Sequence, residues 1–309
     1  FRRVLFRSPL VVAICAYAGY QWIAVPRGWP STGIRRPMER IAADGIGEQY
    51  AAFSYSGADV FRPGSLVGEP KGLGGACVMW LALLSGETLQ RRPGKATIFT
   101  FSSILGALFL TFSTSAWAGA ALGLALYLHC YLRVYGGGRA LRDMAIACMT
   151  GLFVLYVVDV KTITDMIALR TTVRLSESGP LADLSEISAI AVLSEDPVKA
   201  LTGVGLGGMS FYIAEALGDD GGLVLFPNNG LLGLVCNVGI VGTFFLWLLV
   251  RRSVLLVMRA SFVDVHSLSL AYAGTVILGQ CLIHGGLQMW GIGLGCLMSS
   301  EHTRDEEGL

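Results

Sequence analysis

The sequence predicts an all-α polytopic membrane protein: about eight transmembrane helices forming a single transmembrane domain over residues 1–309, with one large extracytoplasmic loop. Three observations predict it. The 309 residues are 53% hydrophobic and only 15% charged, with a mean hydropathy of +0.61, where a soluble domain carries about 25% charged residues. Apolar runs recur along the whole chain, as membrane spans require. Basic residues are grouped: every second short connection holds three Lys or Arg, and the tight turns between hold none, the pattern of cytoplasmic loops. The formal net charge of +1 implies no attraction to nucleic acid. The chain starts at Phe1 and is expected to be a fragment whose N-terminus is missing.

Residues 10–25 form the first apolar run, preceded by Arg2, Arg3 and Arg7. A signal peptide shares these features, but the further runs favour a first transmembrane helix. Residues 26–72 read as a polar loop on the outer side, with a short amphipathic helix over 38–50. The next run, 73–84, is short, so its helix starts near Pro70, a residue suited to a first helical turn. A basic loop at 87–96 follows. Spans at 97–112 and 117–132 are joined by a tight turn at 113–115. After a basic loop, 144–158 is the fifth span and 231–250 the sixth, followed by a basic loop at 251–266. The run 268–298 covers about 46 Å at 1.5 Å per residue, beyond a bilayer core of about 30 Å. It must break, and His284-Gly285-Gly286 is the expected place.

The charge grouping puts 26–72, 113–115, 161–228 and the His284 break on the outer face. The 161–228 segment is the large loop. Leu181, Leu184, Ile187, Ile190 and Ala191 recur there at helical spacing, so a folded cap is expected. The seven cysteines all lie in apolar runs without a C-x-x-C pair. They read as small buried hydrophobes rather than metal ligands or disulfides.

Several groups could carry chemistry. Arg62 and Glu69 flank a Pro/Gly turn just before a membrane helix. They read either as a salt bridge pinning the loop or as a site, since a carboxylate at the boundary needs a reason. Arg170 and Arg174 are four apart and share one helix face. Two guanidinium forks there suit a phosphate or diphosphate, and the alternative is a solvated face. Asn228 and Asn229 are neutral hydrogen-bonding amides at the mouth of the sixth span. His284, in the apolar break, reads as a packing residue. Gly203-x-Gly205-x-x-Gly208 matches the dinucleotide fingerprint in spacing, but no strand of a βαβ unit precedes it. The plainer reading is a glycine turn that lets backbone approach a helix or a ligand closely.

Three separated pieces resemble the O-antigen polymerase/ligase family of bacterial envelope glycan assembly. They are R-P-G-S-L-V-G-E-P-K-G-L-G (62–74), L-T-F-S-T-S-A-W-A-G (110–119), and P-x-x-x-L-T-G-V-G-L-G (197–207) with F-P-N-N-G-L-L-G-L-V-C-N-V-G-I-V-G (226–242). Order and spacing agree over roughly residues 60–245. Two positions depart from the family's pattern: Thr114 stands where the turn has Arg, and Asn228 where a His-Asn pair has His. The loss of that His favours a polymerase over a ligase.

The resemblance implies a multi-pass protein of the bacterial inner membrane with its active site facing the periplasm or exterior. It implies a metal-independent glycosyltransferase without cofactor, whose donor and acceptor are undecaprenyl-diphosphate-linked glycans. Membrane lipid, a chain-length regulator or other polysaccharide-assembly proteins are the partners it suggests. In that reading Arg62, Arg170 and Arg174 stabilise the diphosphate, Glu69 takes the acceptor proton, and Asn228 and Asn229 orient sugar or phosphate. Ligation to a lipid A-core acceptor is the alternative within the family. A polysaccharide-lipid flippase is the alternative outside it.

Overall fold

A computed structural model describes residues 9–30, 52–55, 58–61, 63, 65–67, 70–91, 93–136, 180–205, 208, 209, 212, 230–259, 264–284 and 289–307. Helices dominate them. Helix α1 (Pro9–Ala24) opens on a proline, ends in a 3-10 turn (Val25–Arg27), and is stopped by Gly28 at φ 66. Strands β1 (Ala52–Tyr55) and β2 (Ala58–Phe61) pair antiparallel, with Ala52 opposite Phe61 and Tyr55 opposite Ala58. This hairpin stands where the sequence predicts only a loop. The amphipathic helix expected at 38–50 lies outside the described residues.

Helix α2 (Pro70–Gln90) starts at the expected proline but runs through the first residues of the predicted 87–96 loop. The Glu87–Arg91 pair at 2.6 Å and packing of its last turn against α4 extend it. Helix α3 (Lys95–Leu110) and helix α4 (Thr114–Tyr135) meet at residues 111–113, so the turn falls earlier than predicted. The Thr111 hydroxyl donates to the Leu108 carbonyl at 2.7 Å and Phe112 takes φ 47, which reverses the chain just ahead of Thr114. The fifth predicted span lies outside the described residues.

Helix α5 (Pro180–Glu195) forms as its spacing predicts. Its buried face, however, is Ser188, Ala189, Val192 and Leu193, while Ile187 and Ile190 are exposed. Asp196 caps helix α6 (Pro197–Thr202) by accepting from the Val198 and Lys199 amides. Helix α7 (Gly230–Arg259) continues through the first half of the predicted 251–266 loop. The reason is that Ser253 and Val257 are buried against the bundle and Arg251 folds back over the Trp247 ring. Helix α8 (Val265–His284) ends at the predicted break, and helix α9 (Trp290–Glu307) follows it.

Among the described residues, four helices are long and apolar enough to cross a membrane, over Gly72–Gln90, Ser115–Tyr135, Leu231–Met258 and Val265–Ile283. Helices α2 and α8 are buried nearly all round, whereas α7 leaves Phe244, Phe245 and Trp247 exposed. The first two are therefore the inner helices and α7 an outer one. Helices α2, α4 and α7 run in one direction and α8 in the other. Gly74 of α2 abuts Ala116 of α4, and Gly123 of α4 abuts Val276 of α8. At the far end Tyr135 donates to the Leu89 carbonyl at 3.0 Å, Arg133 donates to the Val257 carbonyl at 3.1 Å, and Gln90 pairs with His266 at 3.1 Å. This far end carries Arg91, Arg133 and the start of α3 at Lys95, and is the basic end. The other holds residues 111–113 and is the turn end.

Candidate functional site

At the turn end the chain is pinned by short polar contacts. Ser65, in a 3-10 turn (Ser65–Val67), sits at φ 50, a backbone region costly for a residue with a Cβ. Two hydrogen bonds, one buried and one partly buried, hold it there. Its amide donates to Gln21 Oε1 at 2.8 Å and its hydroxyl to the Ile14 carbonyl at 2.6 Å. Gln21, a polar residue 5% exposed within α1, is thereby satisfied, which its burial requires. Nine residues on, Gly74 of α2 lies against the 111–116 turn. A Cβ there would come 2.8 Å from Ala116 Cβ and 3.1 Å from Ser113 Cβ. The turn has its own lattice: the Ser113 amide donates to Thr111 Oγ1 at 3.3 Å, the Ser113 and Ser115 hydroxyls pair at 3.2 Å, and the Trp117 indole reaches the Leu108 carbonyl at 3.4 Å. The segments 62–74 and 110–119 are thus joined by one close helix contact.

A second close approach joins α6 to α7. Gly203 and Gly239 lie back to back: a Cβ on Gly203 would stand 2.6 Å from both the Asn237 carbonyl oxygen and the Gly239 nitrogen, and one on Gly239 would run into the Leu201 carbonyl. Gly203 has φ 77 and ψ 174, and Gly239 φ 71 and ψ 176, a region essentially reserved for glycine. The Val204 amide donates to the Cys236 carbonyl at 2.8 Å. In an unbroken helix that carbonyl would accept from Ile240, four residues on. The loop amide supplies the donor instead, and α7 bends at Gly239. Around the crossing, Ala189, Val192, Leu193, Met209 and Cys236 form a small core separate from the main one. Lys199 lies 4.1 Å from the Tyr212 ring centre and 3.7 Å from Asp196. The Gly203 turn therefore approaches a helix closely, as its composition suggests.

Two residues that the sequence reading passed over stand out in the main core. Gln280 of α8 is 1% exposed and Trp290 of α9 is 7% exposed. Among the described residues, neither the Gln280 amide, at Nε2 and Oε1, nor the Trp290 indole Nε1 has a hydrogen-bond partner. Gln280 Oε1 lies over Gly119 of α4, so closely that a Cβ at 119 would occupy the amide's space. A glutamine inside the run V-I-L-G-Q-C-L-I is legible as an intramembrane polar group, which is costly and commonly functional. Its burial and lack of partner are not legible.

The six site residues predicted from sequence, Arg62, Glu69, Arg170, Arg174, Asn228 and Asn229, lie outside the described residues, as does the His284 side chain. Their described neighbours are informative. Pro70, which follows Glu69, and Gly230, which follows Asn229, open helices α2 and α7. Gly230 opens the part of α7 that precedes the Gly239 bend and packs on α6, whereas Pro70 stands about one turn before Gly74 and so belongs to the turn end. There the described residues offer hydroxyl, amide and indole groups, which orient a polar ligand through hydrogen bonds. Among the described residues no group of three or more His, Cys, Asp or Glu comes together that could hold a metal ion. Compared with known protein families, curated proteins and solved structures, the chain matches none.

Proposed function

We propose that the protein is a multi-pass glycosyltransferase of the bacterial inner membrane that polymerises undecaprenyl-diphosphate-linked oligosaccharide repeat units. The reading rests on the family-like pieces of sequence, and one structural observation supports it. Those pieces meet in pairs: 62–74 meets 110–119 through Gly74, and 197–207 meets 226–242 through Gly203 and Gly239. Glycines that occur at a contact because nothing larger fits are the kind of residue a shared architecture retains. In this reading the four long helices, the shorter α1, α3 and α9, and a span at 144–158 make eight. The basic end faces the cytoplasm, and the turn end, with the 26–72 and 161–228 segments, faces outward.

Arg62, Arg170 and Arg174 then stabilise charge developing on the diphosphate leaving group. Glu69 takes the proton of the acceptor hydroxyl, and Asn228 and Asn229 orient the sugar or phosphate. The test is the glycan chain-length pattern on gels, in a deletion strain complemented with the full gene. Loss of long chains with single repeats still attached marks a polymerase, and loss of every repeat marks a ligase. Arg62→Lys keeps the charge but not the planar fork, and Glu69→Gln keeps the shape but not the base. Each is expected to insert normally yet lower chain extension by about 10²–10³-fold. Normal chains from both variants would make the pair a structural staple, worth about 0–1 kcal/mol.

A further inference from the structure

We infer that Arg251 and Arg252, on the outer side of α7, hold the phosphate of an anionic phospholipid in the leaflet at the basic end, with its acyl chains lying along Phe244, Phe245 and Trp247. The site stands apart from the transferase residues and needs only that the bundle lie in a bilayer.

Arg133, at the basic end, donates to the Val257 carbonyl, and Gln90 meets His266 at the same end. Arg251 stands six residues before Val257 in α7, about 9 Å deeper at 1.5 Å per residue. An arginine near a membrane surface ordinarily extends its head toward water. Arg251 turns the other way: its guanidinium lies 6.0 Å from the centre of the Trp247 ring, a further turn inward. Trp247 is itself stacked on Phe244 at 6.1 Å. Phe244, Phe245 and Trp247 are exposed, as are Ile240 and Val241 before them. In a bilayer this face meets acyl chains, so Arg251 is a cation set against hydrocarbon, which is costly and marks a functional position. Arg252 is exposed next to it. Neither arginine has a carboxylate partner among the described residues, where the ion pairs are Glu87–Arg91 and Asp196–Lys199.

The position selects the counter-ion. Both arginines are exposed, so their anion comes from outside the bundle, and their depth keeps phosphate dissolved in water from reaching them. A lipid phosphate is the anion that the bilayer itself supplies, and local thinning of a leaflet brings headgroups down to such a charge. Adjacent helix positions are about 100° apart, so the two planar forks approach one phosphate from two sides. Two positive charges favour a lipid of net negative charge over a zwitterionic one, whose ammonium they repel. From the arginines the exposed apolar face continues toward the bilayer centre, the direction in which a phospholipid's chains leave its phosphate. Close helix seams in membranes use small residues, whereas Phe244, Phe245 and Trp247 protrude, a surface suited to flexible chains rather than to a partner helix.

The test uses the full-length protein in phosphatidylcholine vesicles in which a rising share of the lipid is phosphatidylglycerol with brominated chains. Bromine quenches indole fluorescence on contact, and brominated phosphatidylcholine is the reference. Comparison with Trp247→Phe isolates the Trp247 signal from that of the other tryptophans. Phosphatidylglycerol is expected to be preferred at Trp247 by about fivefold or more. Arg251→Gln and Arg252→Gln should each lower that preference, and the double variant should bring the two lipids to about parity. The preference should survive ~0.5 M NaCl, since a pair held out of water is screened little. If the double variant fails to insert, the single variants decide. Equal quenching by the two lipids in the unaltered protein, an unchanged preference in the variants, or its loss in salt would overturn the site. So would a Trp247 that neither lipid quenches, since protein would then cover this face. Lipid preference is read without chain growth, so a protein that extends no glycan chains would lose the transferase reading and keep the site.

Discussion

Gly203 and Gly239 carry the most specific constraint at the level of single residues. Both adopt positive φ with extended ψ, and each blocks the space a Cβ would need on the other. Gly203→Ala or Gly239→Ala is expected to cost about 1–3 kcal/mol for the backbone conformation and a further ~1–3 kcal/mol for overpacking. The measurement is thermal unfolding in detergent, with limited proteolysis within 197–205 as a local readout. Gly94→Ala is the control. Gly94 sits at φ −80 with nothing near its Cβ position, so its change should stay within about ±0.5 kcal/mol. Equal stability of Gly239→Ala and Gly94→Ala would mean the crossing does not hold α6 to α7.

Helix α8 illustrates how an element of the core is started. Asp264 precedes it, and its carboxylate accepts from the Ser267 amide. Burial works to raise the Asp264 carboxyl, but the Ser267 amide and hydroxyl and the nearby His266 outweigh it and hold it below the ordinary value. A carboxyl lowered on folding stabilises the native state above its unfolded value, about 3.9, and that contribution fades as pH falls through the lower native value. Asp264→Ala should therefore cost about 0.5–2 kcal/mol at pH ~7, with the difference from wild type shrinking below pH ~4. Asp264→Asn, an equally good cap, should keep most of the stability. Detergent unfolding at stepped pH reads both; a deficit in Asp264→Ala that persists undiminished at low pH would rule out the carboxylate cap.

Across the helix bundle, the described basic residues of the short connections gather at one end. Arg91, Arg133 and the Lys95 helix start lie beside the Gln90–His266 contact, while the 111–113 turn at the other end carries no charge. With the basic end in the cytoplasm, a cysteine replacing Ser115 should react with an impermeant thiol reagent added outside intact cells, and one replacing Gly94 should not. Labelling at position 94 alone would invert the bundle and place Arg62 and the 161–228 segment on the wrong side for outward-facing glycan transfer.

The sequence by itself determined the apolar helical class, the positions of most described helices, the start of α2 at Pro70 and the break at His284, because hydropathy and proline are local signals. It also marked 203–208 as a turn built for close approach. Helix ends were less legible. Glu87 and Arg251 look like loop residues, yet an i,i+4 ion pair and burial of the next turn carry the helices past them. In α5 the apolar spacing was visible but the face was not: packing against α7 buries Ala189 and Val192 and leaves Ile187 out. What only the tertiary structure decided is which distant glycine meets which. Gly203 meets Gly239, Gly74 meets the 111–116 turn, and Gly119 makes room for the unpartnered amide of Gln280. Composition shows that a residue lacks a Cβ, but the atom that occupies that space comes from another helix, and its identity exists only once the helices have packed.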